Sequence, residues 1–275
     1  MKKLCIFFAT AILGGLFLVG CQPSAGRKFR VYDNGAAYTA GDFTCKSEEV
    51  TRIEIDWLGG SVEVGQTPSD RVFVAEEENE LPDEKRVHTY LSEGVLRVKY
   101  CRSGCWGEID ETQKNLQVTI PKGIDVEINS VSANVFLGVL EAGELSVETN
   151  VGNVEAESVV CYSADIETLH GYIGIGSLTA KEIELENVFG EVHLGLPVCQ
   201  HTEIETKKGN VTLYLWGDVC ASIGFETQKG ILQTERKYEQ KDGRYLFRTR
   251  GNQSVAQALP TPILIRTVSG NLYVR

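Results

Sequence analysis

Apolar residues in the middle of this chain fall at alternate positions, in short runs broken by a glycine, and the whole unit returns at a fixed interval. The clearest copies are Ile128-Asn-Ser-Val-Ser-Ala-Asn-Val, Val147-Glu-Thr-Asn-Val-Gly-Asn-Val, Ile166-Glu-Thr-Leu-His-Gly-Tyr-Ile, Leu185-Glu-Asn-Val-Phe-Gly-Glu-Val and Ile204-Glu-Thr-Lys-Lys-Gly-Asn-Val. They start at 128, 147, 166, 185 and 204, nineteen residues apart each time. Phe225-Glu-Thr-Gln-Lys-Gly and Ile265-Arg-Thr-Val-Ser-Gly-Asn-Leu repeat the phrase later, and Ile55-Asp-Trp-Leu-Gly-Gly-Ser-Val extends it backwards with Gly60 in the glycine place. Period-two alternation predicts strands with one buried face, and a glycine between two such runs suits a tight corner needing positive φ. A constant interval near twenty predicts one small unit stacked on copies of itself, closing a core that no single copy can bury. The expected fold is all-β: a single-stranded right-handed β-solenoid, with a twisted antiparallel β-sandwich as the alternative.

The regular repeats run over about 126–235. Before them, Arg52–Trp57, Arg71–Ala75, Val95–Tyr100 and Leu116–Ile120 read as strands between polar turns, and the acidic run Glu76–Glu80 reads as a solvated loop. After them, 236–264 interrupts the period with a polar, hairpin-like insertion, placed to fold over the end of the stack as a cap. Within it, Phe247-Arg-Thr-Arg-Gly-Asn has the form of a degenerate repeat.

The amino terminus has a different character. Met1-Lys-Lys is basic, Leu4–Val19 is apolar but short for a membrane span, and Leu18-Val19-Gly20-Cys21 has the form of a bacterial lipoprotein lipobox. Residues 1–20 are therefore expected to be a signal peptide, and Cys21 the lipidated (palmitate-type) first residue of the mature protein. Residues 21–44, rich in small residues, are expected to be a tether, with the solenoid domain occupying 45–275. The location this implies is the extracytoplasmic face of a bacterial cell membrane.

The formal charge of −11 becomes −13 once Lys2 and Lys3 leave with the signal. Such acidity gives no electrostatic basis for nucleic-acid binding, and membrane attachment is expected through the lipid alone.

The segment Leu116-Gln-Val-Thr-Ile-Pro-Lys-Gly-Ile-Asp-Val-Glu-Ile, the repeated Glu-Thr-x-x-Gly-x-Val units and the closing Ile265-Arg-Thr-Val-Ser-Gly-Asn-Leu-Tyr-Val resemble the bacterial family known as putative adhesins. The resemblance spans about Val50 to Arg275. It implies a β-solenoid of T-x-x-G-x-[IV] repeats at the cell envelope, in a domain of unknown function, and it carries no catalytic residues. Some members sit beside envelope-stress regulators.

Of eight cysteines, Cys5 leaves with the signal and Cys21 takes the lipid, so six remain in an exported chain. Cys101 and Cys105 are close enough to bridge a turn. Cys161 and Cys199 hold equivalent places two repeats apart, about 10 Å at ~4.8 Å per rung and too far to bond. Cys220 lies one coil beyond Cys199 and nearly in register, so Cys199–Cys220 is the second candidate bridge. Cys161 is expected to be a small buried hydrophobe.

Catalytic and metal signatures are sparse. His88, His170, His193 and His201 show no metal spacing, and no G-x-S-x-G elbow, P-loop or dinucleotide fingerprint is present. Glu148, Glu167, Glu186, Glu205 and Glu226 recur as an outward ladder, which a copied repeat produces without selection for chemistry. The expected function is a non-catalytic binding, adhesion or scaffolding module that contacts an envelope protein or glycan, with no cofactor or metal. Tyr172, Phe189, Tyr214 and Trp216, near the repeat corners, are the candidate contact aromatics. The alternatives are a carbohydrate-active solenoid enzyme and an envelope-stress sensor component.

Overall fold

The computed structural model describes residues 31–77, 80–105, 113–195, 197–216, 220–248 and 260–275. The expected signal peptide, 1–20, and the expected lipidation site Cys21 lie outside the described residues.

Each repeat is one rung of two strands meeting at the glycine corner, such as Glu144–Val151 with Val154–Val160 and Ser163–His170 with Ile173–Thr179. Successive rungs pair in parallel with an offset of nineteen residues: Ile166 lies between Val147 and Leu185, and Glu167 between Glu148 and Glu186. The result is a flattened β-solenoid with two parallel faces, which excludes the antiparallel sandwich. Every equivalent apolar residue joins a ladder. Ile128, Val147, Ile166, Leu185, Ile204 and Ile265 line the inside of the first face, and Val135, Val154, Ile173, Val192, Val211 and Leu272 the second, all 0–1% exposed. Each such side chain contributes about 1.5–3 kcal/mol by leaving water, and none could do so without the rung above and below.

The threonine of the repeat has its own task. It points inward at the corner, where Thr168 Oγ1 donates to the Gly152 carbonyl (3.2 Å) and Asn187 Nδ2 to that of Gly171 (2.8 Å). A corner carbonyl turned into an apolar interior would otherwise carry a desolvation cost. The glycines answer mainly to close approach. A Cβ on Gly171 would sit 2.0 Å from the Gly152 carbonyl oxygen, and one on Gly190 or Gly209 1.6 Å from the corner oxygen of the preceding rung. The expected positive φ is found at Gly152 and Gly171, at 152° and 153°.

The pattern does begin at Ile55. Arg52–Gln66 runs through both faces in one stroke, as does Asp125–Glu141, with Ile55 against Ile128 and Gly60 against Ala133. Beyond it Val95–Lys99 and Lys114–Ile120 pair in parallel as one more rung, and antiparallel strands then close the stack. His88–Ser92 and then Thr39–Ala40 cover one face, and Arg71–Glu76 and then Phe43–Lys46 the other. The expected tether is therefore shorter than 21–44. Tyr32 donates its Oη to the Cys101 carbonyl (2.8 Å) and its ring lies 4.6 Å from that of Tyr38, which anchors the chain onto the cap well before Cys45.

The acidic run 76–80 is also not wholly a solvated loop. Glu76 ends its strand 3% exposed, 2.8 Å from the ammonium of Lys114.

At the other end, rung order departs from chain order. His201–Lys208 pairs with Thr261–Ser269, and only the far side of that strand pairs with Cys220–Lys229. The hairpin Tyr238–Lys241/Arg244–Arg248 then lies antiparallel on the outer edge of Cys220–Lys229. The hairpin covers the outer edge of Cys220–Lys229, Phe247 belongs to it and not to a degenerate repeat, and residues 261–264 of the expected insertion belong to the strand of the last rung.

Candidate functional site

Two outer surfaces and one buried cluster concentrate the chemistry. The first surface follows from the repeated glutamate. From 125 to 205 the sequence has fifteen carboxylates and one lysine or arginine, Lys181. The fold stacks Glu148, Glu167, Glu186 and Glu205 in one column at rung spacing, with Asp165, Glu184 and Glu203 in the column beside it. Like charges directly opposite each other on a sheet repel. Burial, and then the neighbouring glutamates, push the Glu167 and Glu205 carboxyls above the ordinary carboxylate value of 4.5.

Relief comes at the carboxy-terminal rung, where Arg266 takes the glutamate place. Its Nη1 pairs with Glu203 and Glu205, and its Nε with Glu226 at 3.1 Å. Glu205 stays raised all the same, through burial first and then through Glu186, Glu226 and Glu184. An open groove of about 520 Å³ runs beside the column, lined by Glu167, Glu186, Glu205, Arg266, Val188 and Val268. All the ladder carboxylates stand on one sheet face.

A carboxyl raised in the folded state binds more protons folded than unfolded. Stability from the ladder therefore increases as pH falls from neutrality toward the unfolded value. His88, buried against the Arg86 carbonyl with its pKa lowered by burial, acts oppositely below about 6.5. The comparison that isolates the ladder is with Glu167→Gln/Glu205→Gln. This variant should melt a few degrees above the parent at pH 7, and the gap should shrink by pH 5. A gap that is absent, or that grows on acidification, would show that the ladder is not under repulsion.

The second surface is aromatic and crosses the other face diagonally. Tyr172, His193, Tyr214 and Trp216 follow one another over three rungs, with ring centroids 6.5, 6.4 and 5.4 Å apart. The Tyr214 and Trp216 rings are stacked within 7° of parallel, and Trp216 is 65% exposed. Gly174 makes the bed for this row: a Cβ there would meet the Tyr172 ring at 2.7 Å. Burial, and then a hydrogen bond to Glu155, push the Tyr172 hydroxyl up to about 12. Three of the four candidate aromatics thus share one surface. The fourth, Phe189, lies on the other flank of the glycine corner, stacked on His170 at 4.8 Å. Sequence reading missed His193 as the link. The signal was its place between Val192 and Leu194, outward on the rung between those of Tyr172 and Tyr214.

The buried cluster is in the amino-terminal cap. Lys114, at an inward position of its strand and fully buried, donates from Nζ to Glu76 Oε2 (2.8 Å), the Lys85 carbonyl (2.8 Å) and the Tyr100 carbonyl. It also sits over the Tyr100 and Trp57 rings at 4.2 and 5.0 Å. With all three ammonium hydrogens donated, it is a structural cation.

The six described cysteines are thiols, so neither expected bridge is present. For Cys199–Cys220 the reason is rung order. Thr202 and Ile223 both face Ile263, which places a whole rung between the two cysteines. Cys199 Sγ instead contacts Thr202 Oγ1 at 2.6 Å. Cys101 and Cys105 remain separate, Cys101 wholly buried. Cys161 is only partly buried where it packs against the core, and burial pushes its thiol up to about 11. Among the described residues, no group of three His, Cys, Asp or Glu side chains is placed to hold a metal, and no helix is long and apolar enough to cross a membrane.

No curated protein matches this sequence. Among solved structures, the chain is similar to one described as a putative adhesin from Bacteroides fragilis, at 12% identity, 85% of this chain, 96% of that one and a TM-score of 0.48. It is also similar to a putative adhesin from Parabacteroides merdae (12% identity, 86% and 96% covered, TM-score 0.44). A third is described as a putative lipid binding protein from Parabacteroides distasonis (12% identity, 86% and 97% covered, TM-score 0.45). The family model described as Toastrack DUF4097 matches residues 50–243 and again 123–275, an overlap that a stack of near-identical rungs produces naturally. The matched residues take in every rung and both outer surfaces: the chain belongs to the Toastrack DUF4097 family.

Proposed function

We propose that this protein is a non-catalytic binding module, held on the extracytoplasmic face of a bacterial membrane by lipid on Cys21, and that it engages an envelope glycan. The observation that carries the reading is the row Tyr172–His193–Tyr214–Trp216. Consecutive outward rings at 5–6.5 Å offer flat apolar platforms, with polar tips for hydroxyls, along an extended ligand. The lipobox at Leu18–Cys21 supports the location. Against a carbohydrate-active enzyme stands the layout of the acids. The acids stand in two neighbouring columns on one open sheet face, whereas glycoside hydrolysis needs two carboxylates on opposite sides of the bond.

The test is binding of the soluble Cys21→Ser form to cell-wall glycans, compared with Trp216→Ala. Loss of one stacked platform is expected to weaken binding about tenfold, near the ~1.4 kcal/mol scale of such contacts. Unchanged binding by Trp216→Ala and Tyr214→Ala together would remove the row from the account.

A further inference from the structure

The carboxy-terminal repeat occupies a socket between two rungs that would match each other without it. Ile204 and Phe225 both face Ile265, Glu205 and Glu226 both face Arg266, and Thr206 and Thr227 both face Thr267. On the second face, Val211 and Leu232 both face Leu272, and Leu213 and Thr234 both face Val274. The chain thus lays down rung 201–216, then rung 220–234 and its capping hairpin, and finally threads 261–274 between them. The threaded strand is fully seated, with Ile263, Ile265 and Leu272 at 0% and Val274 at 1% exposure.

Charge decides what fills the socket. Closing it would set Glu205 directly against Glu226 at about 4.8 Å and lengthen the like-charge column. Filling it with a strand carrying a cation at the ladder place joins Glu203, Glu205 and Glu226 through one guanidinium. Among the repeats, only the last has arginine there; the others have Asp56, Asn129 or a glutamate.

We propose that the carboxy-terminal repeat is an exchangeable rung: the socket of one copy accepts the repeat of a second copy, reciprocally, with Arg266 as the latch. Every contact in the socket is the same whichever chain supplies the strand, so the choice is one of local concentration. The strand's own copy competes at an effective concentration of order millimolar, through residues 249–260. Those residues span about 40 Å when extended, enough to carry the strand to an adjacent molecule. Reciprocal exchange closes at two copies and leaves no open edge.

Thr212 and Tyr273 face each other on adjacent rungs, whereas Thr212 and Gln233 are separated by the inserted one. The test uses the full-length protein. Isotopically distinct Thr212→Cys and Tyr273→Cys chains are mixed at high concentration and oxidised, and their peptides are mapped by mass spectrometry. A 212–273 bridge between the two chains is expected, growing with protein concentration. Adding Arg266→Gln to the Tyr273→Cys chain should cut its yield at least tenfold. In the Thr212→Cys/Gln233→Cys double variant, Arg266→Gln should raise bridging as the socket closes. The Thr212→Cys/Tyr273→Cys double variant serves as control, since it should bridge within one chain. Bridging only within chains at every concentration would overturn exchange, as would failure of the control to bridge at all. Interchain bridging unaffected by Arg266→Gln would overturn the latch.

Discussion

Lys114→Met is expected to cost about 3–5 kcal/mol, the largest loss from any single side chain here, because it leaves the buried Glu76 carboxylate without its ammonium partner. Glu76 Oε1 retains the Val87 amide at 3.0 Å, and Arg86 Nε stands 3.7 Å away, but Oε2 faces the place Lys114 leaves. The Lys85 and Tyr100 carbonyls lose their donor at the same time. Methionine fills the volume of the lysine stem, so the loss reports charge and hydrogen bonding more than a cavity. Replacing both partners, as Lys114→Met/Glu76→Met, should recover most of the stability, since an apolar pair of similar volume removes the stranded charge. Urea unfolding midpoints measure all three forms. A loss below about 1 kcal/mol for Lys114→Met would mean the cluster does not hold the cap together.

Gly190→Ala is expected to cost about 3 kcal/mol, at the upper end of overpacking penalties. The added Cβ would fall 1.6 Å from the Gly171 carbonyl oxygen, and that oxygen belongs to a backbone pinned by the rungs on both sides. No rotamer change can relieve such a clash. The rungs must part at the corner, which also disturbs the Asn187 hydrogen bond to the same carbonyl. Gly65→Ala is the control: it lies on an outer strand face with nothing within 4 Å of its added Cβ. That change should be neutral or mildly stabilising, because glycine in a strand carries an entropic cost of roughly 0.5–1 kcal/mol. Equal effects at the two positions would refute close approach as the reason for the glycine column.

The repeat made most of the architecture legible. Alternation at Val147, Ile166 and Leu185 defined an inward ladder, and the interval fixed its register, because stacked copies of one unit can align only copy on copy. What the repeat could not reveal was the order of the last rungs. Ile204, Phe225 and Ile265 fit one another in any order, and only the charge alternation through Arg266 distinguishes the order adopted. A Cys199–Cys220 bridge would need rung order to follow chain order, and the Thr261–Ser269 strand lies between the two.

Two cap features were missed through composition. Tyr32 and Tyr38 are sparse among small residues, yet their rings are what anchor that segment. Lys114 was readable in principle: counting back by two from Ile120, Val118 and Leu116 places it on the buried face. A lysine there signals a buried partner, and Glu76 sat inside a run that otherwise looked solvated. The aromatic row was legible in part, since a diagonal across three rungs emerges only once the rungs are stacked.

Binding without catalysis is put to the test by screening the Cys21→Ser form against cell-wall glycans while released sugars are measured in the same wells. Retention on at least one glycan, with no sugar released, is the expected result. Release of sugar by the pure protein, abolished by Glu167→Gln or Glu186→Gln, would contradict it and make the glutamate ladder an active site.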